Sequence, residues 1–172
     1  MTFTEYQALA LRTASKLHAD PRLELAIFAL GLCGEAAEFR AALVNDCSSE
    51  EAFVEAGDVL WYTAVLAHRA GLYGDFIEAA SGDVFDYDKD DTLPQSDAIG
   101  DAQNVQDSAC MVAEHIKKHV GHGKPLDKDF LTARLSFLLS ALAFACPGSL
   151  GLAAIENIEK LKKRYPDGFK TA

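Results

Sequence analysis

Two acidic pairs, each spaced three residues apart, lie in otherwise apolar stretches on either side of a short polar turn. Glu35 and Glu38 fall in GLCGEAAEFRAAL, and Glu55 and Asp58 in EAFVEAGDVLWYTAVL. Residues three apart on a helix share a face, so each pair projects to one side. Between them stands Asn45-Asp46-Cys47-Ser48-Ser49, where Ser48 followed by Glu51 reads as a capping box that starts a second helix. Glu38 and Glu55 stand at comparable distances from that turn, roughly 9 Å along each axis at about 1.5 Å per residue. Folding the helices back on each other therefore brings four carboxylates into one small volume. Such charges repel, and partial burial makes each more costly. A hard divalent cation resolves the conflict, and Mg²⁺ takes a few carboxylates while keeping waters for a phosphate substrate. The plainer reading is a solvated helix face. The apolar neighbours Ile27, Phe28, Leu30, Leu32 and Phe39 about the first pair, and Val59, Leu60, Trp61, Val65 and Leu66 after the second, favour the metal.

Apolar residues recur at helical spacing almost throughout, which predicts an all-α fold. A first helix begins near Thr2 or Thr4, presents Tyr6, Leu9 and Thr13 on one side, and ends by Ala19. Asp20-Pro21 starts the second, an N-cap followed by proline at the first helical position, and it runs to about Val44. A third runs from about Ser49 to Arg69, closed by Gly71. Residues 73–104 read as an acidic linker with a short helix around Asp75–Ala80. Their Asp83, Asp86, Asp88, Asp90 and Asp91 lack the central glycine and closing glutamate of a calcium loop. Helices resume near Val105 and run to Val120, then from Lys128 to about Cys146 behind an Asp127 cap, then from Leu150 to about Arg164.

The net charge of −10 argues against nucleic-acid binding. It is unevenly spread: residues 1–104 hold 19 acidic against 6 basic side chains, residues 105–172 hold 7 against 10. That asymmetry suits a site in which one half holds metal and the other phosphate. No apolar run of about 18 residues predicts a membrane span, and the N-terminus lacks the basic start and apolar middle of a signal peptide. Cys33, Cys47, Cys110 and Cys146 show no CxxC spacing and read as reduced thiols of a cytoplasmic protein. The spacing of His115, His119 and His122 is compatible with zinc, but no cysteine is placed to complete such a site. Trp61 reads as a core residue from its apolar neighbours, with stacking on a base as the other reading.

The two sides of the linker can be laid over each other. ALGLCGEAAEFRAAL matches DSACMVAEHIKKHV, and FVEAGDVLWYTAVLAH matches LTARLSFLLSALAFAC. Glu38 then falls over Glu114, Glu35 over Met111, Glu55 over Ala133 and Asp58 over Ser136. This describes two tandem helical hairpins that together make a four-helix bundle. The front copy, about residues 1–72, keeps the acids. The back copy, about 105–172, is degenerate.

GLCGEAAE, EAGDVLWYTAVLAHRAGL and the tail NIEKLKKRYPDGF resemble the MazG-like, all-α nucleoside triphosphate pyrophosphohydrolases, a superfamily that includes the dimeric dUTPases. Its ExxE, spacer and ExxD signature is matched by Glu35, Glu38, Glu55 and Asp58. The loop HGKPLD, placed between the acidic pairs in simpler members, stands here in the back copy at His122–Asp127. The chain thus resembles two fused family units sharing one composite site. The resemblance implies hydrolysis of a nucleoside triphosphate between its α and β phosphates, giving a monophosphate and pyrophosphate. Mg²⁺ is the implied cofactor, with Mn²⁺ as the other candidate. The four acids are the implied ligands, with Glu35 or Glu38 helping to activate water. For phosphate, the candidates are Lys118, Asn157 and Lys160, followed by Arg164 and Tyr165. The alternative is a non-catalytic helical module that binds nucleotide or protein and retains the fold. The resemblance leaves a homodimer open.

Overall fold

A computed structural model describes residues 1–15, 17–46, 50–82, 84–85 and 95–167. The described residues form an all-α architecture: α1 (Phe3–Ala10), α2 (Pro21–Asn45), α3 (Glu50–Arg69), α4 (Gly74–Ser81), α5 (Gln95–His122), α6 (Lys128–Ala145) and α7 (Leu150–Arg164). Several starts follow from local chemistry. Thr2 and Glu5 make the reciprocal capping box of α1, with bonds of 3.1 and 2.9 Å. Asp20 accepts from the Arg22 amide with Pro21 behind it, and Asp127 accepts from the Phe130 amide. Gly71 follows α3 at φ 68°.

Two boundaries differ from expectation. The first helix ends at Ala10, not by Ala19. The Thr13 hydroxyl donates to the Ala10 carbonyl at 2.9 Å, and residues 12–14 turn on bonds to the third residue back. Tertiary bonds then hold the next residues: the Trp61 indole donates to Thr13 Oγ1 at 3.0 Å, Arg69 to the Ser15 carbonyl at 3.3 Å, and the Leu17 amide to Glu24 at 2.9 Å. Thr13, Ser15 and Leu17 thereby become a strap tied to α2 and α3. Further along, α5 starts at Gln95, well before Val105, within the stretch read as linker. The Ser48 cap, Cys47 and the acids Asp83, Asp86, Asp88, Asp90 and Asp91 lie outside the described residues.

Packing follows the apolar stripes. On α2, Leu32, Ala36, Phe39 and Leu43 are buried at steps of four, three and four. On α3 the matching stripe is Ala52, Ala56, Val59, Leu60 and Thr63. The two helices pack together as a hairpin, α5 and α6 do the same, and α2 lies against α5. Burying a leucine or phenylalanine side chain contributes about 1.5–3 kcal/mol, so these stripes easily outweigh the cost of a few half-buried acids beside them. α7 and α1 cover α3, and α4 rests on α6 and α1. Among the described residues no single helix is long and apolar enough to cross a membrane.

Candidate metal centre

Glu35 sits on α2 at the edge of the buried stripe, three residues after Leu32 and four before Phe39. Glu55 and Asp58 hold the equivalent edge of α3, with Tyr62 one turn beyond. Because α2 and α3 pack along their length, these edges meet. One carboxylate oxygen from each of Glu35, Glu55 and Asp58 lies within 4.8 Å of the others, and all three residues are half-buried. Glu38 falls outside this triad and is exposed. It stands near enough for its charge to act on Glu35 and Glu55.

The electrostatics record the crowding. Burial, then repulsion from Asp58, Glu38 and Glu55, pushes the Glu35 carboxyl up to about 7. Burial and then Asp58 raise Glu55 as well, and Lys160 opposes both shifts. Tyr62 is raised by burial and by Glu35.

One acid is already neutralised. Lys160 Nζ lies 2.5 and 2.6 Å from the two Asp58 oxygens, and Asn157 Nδ2 donates to Asp58 Oδ1 at 2.8 Å. Asn157 is itself held from the far end of the chain, where the buried Tyr6 hydroxyl donates to its Oδ1 at 3.0 Å. Gly57 permits this: a Cβ there would come within 3.0 Å of Asn157 Cβ and 3.2 Å of the Ala153 carbonyl. The bare backbone of α3 lets α7 approach closely enough for Asn157 and Lys160 to reach Asp58.

Glu35 and Asp58 of the triad line a cleft of about 280 Å³. Glu35, Asp58, Lys160 and Arg164 give it a charged wall; Phe28, Trp61 and Tyr62 give it an aromatic one. Thr13, Ser15 and Leu17 of the strap close one side, and Leu161 and Tyr165 another. Trp61 and Tyr62 meet edge-on, with centroids 4.9 Å apart. Trp61 is half-buried, packed against the core on one side and lining the cleft on the other.

Of the phosphate candidates, Asn157 and Lys160 contact Asp58, while Arg164 and Tyr165 line the cleft. Lys118 lies on α5, exposed and paired with Glu114 at 3.3 Å, and does not line it. His115 accepts from the Asp127 amide and stacks on Phe130, and His119 Nδ1 lies 2.7 Å from the Lys124 carbonyl. These histidines fasten the α5–α6 turn. Sequence reasoning placed neither Tyr62 nor the strap at the site. Tyr62 carried a signal, standing four residues after Asp58 on the face that Glu55 and Asp58 share.

The donor set fits a hard divalent cation. All three groups are oxygen donors, and opposite ligands of an octahedral ion at about 2.1 Å stand about 4.2 Å apart. A spread within 4.8 Å closes to that with small side-chain movements. Comparison with protein-family models, characterised proteins and solved structures finds no match to this chain.

Proposed function

We propose that the chain is a Mg²⁺-dependent nucleoside triphosphate pyrophosphohydrolase of the MazG-like kind, working in the cytoplasm. The observation that carries this reading is the convergence of Glu35, Glu55 and Asp58, two of which, Glu35 and Asp58, line a cleft that also presents Lys160, Arg164 and an aromatic face. Carboxylates alone bind cations; carboxylates facing cations and aromatic rings suit a metal-bound polyphosphate carrying a base. The α2–α3 and α5–α6 hairpins, joined through α2 and α5, support a four-helix core built from two tandem units.

In this reading Glu35, Glu55 and Asp58 hold the ion, with Glu38 beside them at the exposed rim. Bound Mg²⁺ supplies charge neutralisation for the phosphate oxygens and the leaving pyrophosphate. Glu35 or Glu38 takes a proton from the attacking water. Lys160 and Arg164 bind phosphate oxygens, and Asn157 orients Asp58. Trp61, Tyr62 and Phe28 receive the base and keep water from the cleft.

The test is product analysis over a panel of ribo- and deoxyribonucleoside triphosphates, with Mg²⁺ or with chelator. Pyrophosphate and monophosphate in equal amounts, formed only with the metal, are expected. Asp58→Asn should lower turnover at least about 100-fold, the scale of losing a charge-stabilising group. Orthophosphate as the product, or turnover that survives Asp58→Asn and Glu38→Gln together, would overturn the assignment.

A further inference from the structure

We propose that Lys160 is a built-in counter-cation, holding Asp58 until a divalent ion takes its place and then turning to the polyphosphate. The inference rests on the metal reading above. Three hydrogen bonds reach the Asp58 carboxylate, and they differ in kind. Asn157 is buried, and its amide is oriented by the Tyr6 hydroxyl on its oxygen, so its N–H is committed to Asp58 Oδ1. Lys160 is half-exposed, sits on a flexible four-carbon stem, and supplies the other two bonds, one to each oxygen. Asn157 is the fixed brace and Lys160 the removable partner.

Asn157 and Lys160 together occupy Asp58 Oδ1 and Lys160 also takes one of the two lone pairs of Oδ2, so an ion among Glu35, Glu55 and Asp58 must share an oxygen that Lys160 already holds. The ion also sets a double positive charge a few ångströms from the ammonium. Both effects oppose metal while Lys160 stays. Once displaced, the ammonium gives up its carboxylate, and the cleft it enters is lined by Arg164. A polyphosphate there satisfies both cations. Metal and triphosphate therefore favour each other, and the ion alone is held weakly. This linkage needs no motion of the helices, only of one side chain.

The measurement is nucleotide-free Mn²⁺ affinity, by calorimetry and by electron paramagnetic resonance, for the whole chain and for Lys160→Met. Methionine keeps much of the stem and removes the ammonium; Lys160→Gln is a second variant, and melting curves check that both fold. Lys163→Met controls for net charge, since Lys163 is exposed on the same helix. Removing a competing, partly exposed ion pair should tighten Mn²⁺ about five- to tenfold, with less than about twofold for Lys163→Met. Equal affinity in Lys160→Met and the unaltered chain, or an equal gain in Lys163→Met, would overturn the proposal while leaving the metal site standing. Failure of every form to bind Mn²⁺ would remove the metal reading, and this proposal with it.

Discussion

Ionising Glu35 is opposed first by burial and then by three neighbouring carboxylates, which set its carboxyl at about 7 against an ordinary 4.5. A carboxyl raised on folding favours the protonated form. Its contribution to stability is therefore full below about pH 4.5 and declines as pH rises through about 7. Glu35→Gln cannot ionise, so without metal it should be more stable than the unaltered chain at pH 8 and nearly equal at pH 4.5. The site is partly open to solvent, which discounts the difference to about 1 kcal/mol. Urea melts at both pH values check this; a variant less stable at pH 8 would contradict the assigned crowding. Four acids were legible at this scale because their spacing was helical. That Glu38 stands outside the triad was not legible, since spacing assigns a face and not the edge of a face. Nor was the place of Lys118, which pairs with Glu114 on α5 as its neighbour Lys117 does.

At the scale of elements, the site depends on how closely α7 and α2 approach α3. Gly57 sets the first distance. Gly31 sets the second, because a Cβ there would fall 2.1 Å from the Tyr62 ring. Gly57→Ala should push against the Ala153 backbone as well as Asn157, moving Lys160 and Asn157 away from Asp58. Overpacking of this kind costs about 1–3 kcal/mol. Melting should fall accordingly, and turnover at saturating Mg²⁺ should fall further than stability does; a variant with unchanged turnover would show that the contact is not needed. Capped helix starts were legible: Thr2 with Glu5, Asp20 with Pro21, and Asp127 each announce themselves. The end of α1 was not, because bonds from Trp61 and Arg69, far along the chain, decide it. Nor was the start of α5, whose first turns carry Asp101 and lie in the stretch that reads as linker. Of the buried stripe Ala102, Val105, Ala109 and Val112, Ala102 alone falls within the stretch that reads as linker.

Across the whole molecule, the acidic front meets its counter-charge in α7, the last helix. Much of the repulsion in the triad remains without metal, so a bound ion should stabilise the entire fold. At an ion concentration of 100 times Kd the gain is about 2.7 kcal/mol. A domain of this size melts about 2–4 °C higher per kcal/mol, so a rise of about 5–10 °C is expected. Scanning calorimetry with Mn²⁺ against chelator checks this, and Glu55→Ala should lose most of the rise while folding normally. The bond from Tyr6 to Asn157 spans 151 positions and ends one step from Asp58. During translation, then, the acids at 35, 55 and 58 leave the ribosome long before their brace is made. The nascent chain carries a crowded negative patch until α7 emerges, and completion of the site coincides with the tying together of the chain's two distant arms. Fraying of either arm would reach Asp58 through a single side chain, so loss of the site should be an early sign of unfolding.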